Sequence, residues 1–345
     1  MHKVDLSLDE VTKVEGAASL TVKVRDGKVE KAQFAITEYK RFYTQAMRGK
    51  MAVSLPQLLA RICGTCSNAH ILCSIEACEK ALGIKPTWQS SILKRLTASG
   101  LMVRDHALHL YLFVLPDLYG KDAFLEFDDE DPEQHQLLHD AFDIKAAGNE
   151  LAKIVAGRSV HATNPVIGGF LQVPTRKQAE EAVKKLESVR PAVLRLIKIF
   201  EECEFTLDRK TRFMALVCQP FGFLEGEIKS SDGDTITEDK YRDHLEHVVI
   251  PYSQASGYTH KGKPYMVGSL ARLNLSKEAL NERTKKDAES ALSLFPSTDI
   301  FHNNLAQALE ILHCIDDSVE ILLSLIHISE PTRPLYISYA VFCLK

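Results

Sequence analysis

The chain has 345 residues, 42 Lys and Arg against 46 Asp and Glu, a formal charge of −4, and 45% hydrophobic with 26% charged residues. This is ordinary globular composition for one large or two ordinary domains, and a near-neutral balance without a basic stripe argues against nucleic acid as a main partner. The apolar runs Leu110–Leu115 and Ile321–Ile328 fall short of the roughly 20 residues of a membrane span, and the N-terminus lacks the apolar core of a signal peptide. The expected location is cytoplasmic, with the 8 cysteines as thiols or metal ligands rather than disulfides.

Residues 17–36 read as a β-hairpin: Leu20, Val22 and Val24 alternate with polar neighbours, Asp26-Gly27 is the turn pair, and Val29, Ala32 and Phe34 lie on the return strand. Ser54 reads as an N-cap with Pro56 in the first turn of a short helix. A helix over 67–82 follows, closed by Gly83. Long amphipathic patterns predict helices over 88–115, stopping at Pro116, over 132–156, ending at Gly157, and over 176–203. The acidic stretch 126–131 reads as a solvated loop. Residues 211–238 look β-rich, with a turn at Ser231-Asp232-Gly233-Asp234, and helical patterns return at 276–294 and 298–323. The fold class expected is mainly α with small β elements. The end, LSLIHISEPTRPLYISYAVFCLK, breaks the amphipathic pattern and resembles translated adapter sequence, so 324–345 is expected to be a foreign tail and 1–323 the domain.

The sharpest motif is Arg61-Ile62-Cys63-Gly64-Thr65-Cys66, followed by His70. A Cys-x-x-Cys brings two sulfurs close enough to chelate one soft metal or to form a redox disulfide. Cys66 opens a helix, whose N-terminal amides and dipole stabilise a thiolate. His70 lies one turn on, placed to support a ligating sulfur or to ligate itself. A structural zinc site wants four ligands and there is no second Cys-x-x-Cys, while a thioredoxin-like site wants a βαβ context that 37–60 does not supply. Cys73, Cys78, Cys203, Cys218 and Cys314 read as buried small thiols, and His244 with His247 as a solvated helical face. His106 and His109 admit core hydrogen bonding or a role in proton or gas access.

Arg-Ile-Cys-Gly-Thr-Cys-x-x-x-His resembles the N-terminal signature of the large, catalytic subunit of nickel–iron hydrogenases. Thr12-Lys13-Val14-Glu15-Gly16-Ala17, His106-Ala107-Leu108-His109 with Pro116-Asp117, Gly157-Arg158 with His161 and Gly168-Gly169-Phe170, and Met266-Val267-Gly268-Ser269-Leu270-Ala271-Arg272 resemble further family blocks in the same order. The resemblance covers about 1–323. It implies reversible oxidation of dihydrogen at a nickel–iron centre whose iron carries carbonyl and cyanide, with nickel on four cysteine thiolates. It also implies a small subunit holding the iron–sulfur clusters, and maturation factors. Cys63 then matches the terminal nickel ligand, Cys66 the cysteine bridging nickel and iron, Glu15 the proton-passing glutamate and His70 the histidine beside the bridging sulfur, while Arg61 is expected to contribute positive potential without ligating.

Some positions depart from that pattern. Ala17 replaces the family histidine, Lys13 the arginine, and Ala162 the proline after His161. Thr44 stands where many members carry a glutamate for magnesium or another divalent cation, which leaves that site without its carboxylate. The second cysteine pair, Asp-Pro-Cys-x-x-Cys-x-x-His, and the Ala-Pro-Arg-Gly block do not occur, so the sequence reads as an N-terminal fragment. A non-catalytic relative, like the quinone-site subunit of respiratory complex I, shares the expected fold but lacks Cys63 and Cys66; a small redox or zinc Cys-x-x-Cys protein would lack the long helical body.

Overall fold

The computed structural model describes residues 3–14, 16–38 and 41–327. Strand β1 (Lys3–Leu8), unanticipated in the sequence, pairs antiparallel with β2 (Ala18–Arg25), which pairs with β3 (Lys28–Ile36) across the expected Asp26-Gly27 turn. Both turn residues have positive φ, 49° and 76°, the backbone that two-residue hairpin turns require. In this register Val4, Leu6 and Leu8 stand opposite Val24, Val22 and Leu20, so one face of the sheet is apolar throughout. Val4, Leu6, Leu8, Val29 and Phe34 on it remain 44% to 63% exposed.

Helices α1 (Arg41–Met47) and α2 (Leu55–Leu59) lead to α3 (Ser67–Leu82), which matches its expected span and ends at left-handed Gly83. Ser54 precedes α2, but its hydroxyl donates back to the Met51 carbonyl because a preceding 3₁₀ turn already supplies the entry. α4 (Trp88–Leu108) does not stop at Pro116. It widens into a π-helical turn over His109–Val114 and continues into α5 (Leu115–Leu118), with Pro116 in its first turn. A proline inside a helix removes one donor and crowds the preceding turn, and a wider turn absorbs both effects.

Residues 126–131 are indeed a loop, but Phe127 anchors it in the core and Asp131 caps α6 (Pro132–Ala156), accepting from the amides of Glu133 and Gln134. The two-residue strands β4 (Pro165–Val166) and β5 (Gly169–Phe170) precede α7 (Arg176–Glu201), which opens with a Thr175/Gln178 capping box. The expected β-rich region is a three-stranded sheet of β6 (Met214–Val217), β7 (Glu227–Ser230) and β8 (Thr235–Thr237). After short α8 (Tyr241–His244), β9 (Leu245–Val248) pairs with β10 (Gly257–His260). His247 therefore lies on a strand, edge-on to Tyr258, and not on a helical face. The pattern at 276–294 resolves into short pieces: α9 (Ser269–Ser276), α10 (Glu282–Asp287) and α11 (Glu289–Ser293).

Helix α12 (His302–His327) begins later than expected and continues past Leu323, with Leu325 against the core. The tail expected at 324–345 otherwise lies, from 328 onward, outside the described residues. Helices α4, α6, α7 and α12 close a four-membered ring of packed neighbours, α4 on α6, α6 on α7, α7 on α12 and α12 on α4. α12 is buried on every side from Ala308 to Val319, although that stretch includes Glu310, His313, Asp316, Asp317 and Ser318. Such charges tolerate burial only when paired, and α12 is held by its polar contacts on several faces at once. Glu310 accepts from Ser269, Arg272 and His106, Asp316 from Arg190 and Thr284, and Asp317 from Arg95.

Candidate metal centre

A short 3₁₀ turn over Ala60–Ile62 delivers the chain to Cys63 in extended conformation, and Cys66 occupies the N-cap of α3. The turn between them folds back on itself: the amide of Cys66 donates to Cys63 Sγ at 3.2 Å, and the Thr65 hydroxyl lies 3.2 Å from the same sulfur. It is thus Cys63, and not Cys66, that takes a helix-opening amide. Cys66 makes no side-chain capping bond, and burial first, then the neighbouring Cys63 sulfur, pushes its thiol up to about 12. Burial opposes the thiolate that the helix start is expected to favour, and a cation bound between the sulfurs would favour it.

Three further segments shape the turn. Helices α4 and α6 cross at Gly100 and Gly148, where a Cβ on Gly148 would stand 2.7 Å from the Arg104 amide nitrogen. That close approach puts Arg104, 4% exposed, under the cysteine turn, where its guanidinium donates to the carbonyls of Thr65 and Ser159 and to Asp105. α6 ends at Gly157 with φ 83°, and a Cβ there would strike Thr163 and Asn164, so only glycine lets the loop 158–164 fold back. That loop docks on the cysteine segment: His161 donates its amide to Ser67 Oγ and its ring meets the Ala60 carbonyl, Asn68 binds the Ser159 carbonyl and the Ala162 amide, and Gln57 binds the Ala162 carbonyl.

The other expected residues fall as follows. Cys63 and Cys66 share one turn, both half-buried. His70 sits one turn into α3, half-buried, with burial lowering its pKa, while Cys63 Sγ is hydrogen-bonded to the Thr65 hydroxyl and the Cys66 amide. Arg61 is exposed beside the turn, and the cation that grips the turn is Arg104, which carries no sequence signal beyond a place in a long helix. Glu15 lies outside the described residues; its neighbour Lys13 is tied to Asp117 at 2.5 Å, which fastens that segment beside α5. Thr44 is exposed on α1. Cys78 and Cys314 are buried as expected, whereas Cys73 is exposed on the outer face of α3, and Cys203 and Cys218 are intermediate. His106 and His109 make core hydrogen bonds, to Glu310 and Gln307. A cleft of about 300 Å³ between α3, the start of α4 and residues 218–225 is lined by neither Cys63 nor Cys66.

Two soft sulfurs on one turn fit a nickel or iron ion as half of a tetrahedral or square set. Among the described residues no group of three or more His, Cys, Asp or Glu side chains could hold a metal, so this pair stands as two ligands.

The model for the nickel-dependent hydrogenase family matches residues 43–130. Sulfhydrogenase 1 subunit alpha of Pyrococcus furiosus is 31% identical over 92% of this chain and 74% of its own length. Sulfhydrogenase 2 subunit alpha of the same organism is 32% identical over 90% and 73%. The structure of an NAD⁺-reducing [NiFe]-hydrogenase superposes with a TM-score of 0.79 at 22% identity, covering 94% of this chain and 78% of that one. A reduced, active Ni-Fe-Se hydrogenase from Desulfomicrobium baculatum gives 0.72 at 21%, covering 95% and 80%.

Proposed function

Because the chain belongs to the nickel-dependent hydrogenase family, we propose that it carries the reversible oxidation of dihydrogen to protons and electrons, with Cys63 and Cys66 as two of the ligands of a nickel–iron centre. The observation that carries the assignment is the turn itself: two half-buried thiols on four consecutive residues, one sulfur gripped by the backbone amide of the other cysteine. Such a centre, its iron carrying carbonyl and cyanide, supplies the open coordination site at which dihydrogen is split. Cys63 would hold nickel alone and Cys66 would sit between nickel and iron. Burial and the neighbouring Cys63 sulfur push the Cys66 thiol up, and a bound cation is what would favour its thiolate and make it a ligand. Glu15 is proposed to carry protons to and from the sulfurs, a role that suits a carboxyl side chain. Arg61 and His70 flank the pair.

The partner proposed is a small subunit bearing the iron–sulfur clusters, and loading is proposed to need maturation factors, since the metal carries diatomic ligands that no side chain here supplies. Magnesium or another divalent cation at Thr44 has no carboxylate to support it. Among the described residues no helix is long and apolar enough to cross a membrane. A cytoplasmic location is proposed, the setting that suits cysteines kept as thiols for metal ligation. A non-catalytic, complex I-like role is disfavoured by the cysteine pair itself.

The test is Cys63→Ala and Cys66→Ala in the enzyme assembled with its small subunit. Each is expected to abolish hydrogen-dependent dye reduction and to lower bound nickel. Retention of activity by either variant would overturn the assignment.

A further inference from the structure

We propose that Arg104 is the positioning residue of the cysteine pair, holding the turn through the Thr65 carbonyl so that both sulfurs face one ion. This rests on the reading of Cys63 and Cys66 as metal ligands.

The Thr65–Cys66 peptide is a single planar unit with a hydrogen bond on each side. Its oxygen accepts from Arg104 Nη2, and its N–H donates to Cys63 Sγ at 3.2 Å. Because the unit is rigid, fixing the oxygen fixes the direction of the N–H, and with it the place of the Cys63 sulfur. A charged donor holds that oxygen more firmly than a neutral one would. The guanidinium is in turn immobile. It is 4% exposed, its second arm binds the Ser159 carbonyl at 2.5 Å, and Nε binds Asp105 Oδ1 at 2.6 Å.

The Ser159 carbonyl also accepts from Asn68, in the first turn of α3, so Arg104 joins the cysteine turn, α3 and the 158–164 loop at one point. Its backbone is set by the Gly100–Gly148 crossing. A lysine in its place has one ammonium and no planar fork, so it can serve one carbonyl while leaving the other short. A turn held by the chain's own hydrogen bonds does not have to be ordered by an arriving ion.

Two measurements on the 345-residue chain test this, comparing wild type with Arg104→Lys, Arg104→Met and Cys63→Ala. The first is amide hydrogen exchange of the segment 63–67 in metal-free protein. The second is titration with Cd²⁺, followed by the sulfur-to-metal absorption band. Loss of a charged hydrogen bond is expected to speed exchange of 63–67 and weaken Cd²⁺ binding by about tenfold each in Arg104→Met, with Arg104→Lys in between. Unchanged exchange and affinity in Arg104→Lys overturn the proposal even where Arg104→Met does not fold. Wild type that takes up no Cd²⁺, or the same amount as Cys63→Ala, overturns the ligand reading instead, while the exchange data, taken without metal, still decide the role of Arg104.

Discussion

At the residue scale the largest energies belong to the charges buried along α12. Burial alone would raise the pKa of the Glu310 carboxyl, but Arg272, by charge and by a two-pronged hydrogen bond, and then His106 hold it well below the usual range. Glu310→Ala strands Arg272 in the interior and is expected to cost roughly 3–5 kcal/mol, with Glu310→Gln costing less because it keeps the shape and part of the bonding. Urea unfolding measures both; a loss for Glu310→Ala within about 0.5 kcal/mol, as at an ordinary surface site, would show the network to be dispensable. His313 points to pH. Burial lowers its pKa to about 4 from 6.5, and Nδ1 already accepts the Asn281 amide, which protonation would break. The unfolded chain takes up that proton first as the medium acidifies. The contribution of His313 is therefore fully present above pH 6.5 and declines toward pH 4, by up to roughly 3 kcal/mol. His313→Asn should flatten the fall in urea midpoint between about pH 7 and pH 5; parallel curves for the two proteins would refute it.

At the element scale, ends and turns that rest on local chemistry were legible: Gly83, Gly157 and the Asp26-Gly27 turn all act within a few residues of themselves. What α4 does after Leu108 was not, because a proline in an otherwise helical pattern can end the helix or widen it, and packing of Leu110, Tyr111 and Leu115 chose the second. The α4–α6 crossing was equally silent in the sequence. Gly148→Ala would push a methyl to 2.7 Å from the Arg104 amide nitrogen. Separating two backbones at a tight crossing is expected to cost about 1–3 kcal/mol and to loosen the cysteine turn with it. Thermal melting and exchange of the segment 63–67 would both register this, and a variant as stable and as protected as wild type would argue against the coupling. The N-terminal sheet presents its apolar face to solvent across β1 and β3. Leu6→Lys with Leu8→Lys should raise solubility, read by light scattering, while moving stability by no more than about 0.5 kcal/mol; a collapse in melting temperature would mean that the face is packed after all.

At the scale of the whole molecule the four-helix ring supports the site from one side only, through Arg104 on α4 and the loop that leaves α6. Among the described residues no group of three or more His, Cys, Asp or Glu side chains could hold a metal, whereas the family resemblance implies four thiolates. The purified 345-residue chain is therefore expected to hold no stoichiometric nickel and iron and to show no hydrogen uptake, although two sulfurs suffice for one soft ion such as Cd²⁺. Elemental analysis finding one nickel and one iron per chain, with dye reduction under hydrogen, would contradict this.

Taken alone, the sequence determined the family and the class of the fold, and it marked the cysteine turn as the candidate site. A Cys-x-x-Cys with arginine, glycine and histidine at set offsets is a local object, as are amphipathic periods and the residues that end helices, so each survives reading in one dimension. Only the tertiary structure decided which cation grips the cysteine turn and how α12 buries Glu310, His313, Asp316 and Asp317. Those are partnerships across roughly 40 to 200 positions of chain, such as Arg104 with Thr65 or His106 with Glu310, and no local pattern encodes them. They exist because a buried charge must find its counterpart wherever the packing of the helices brings one.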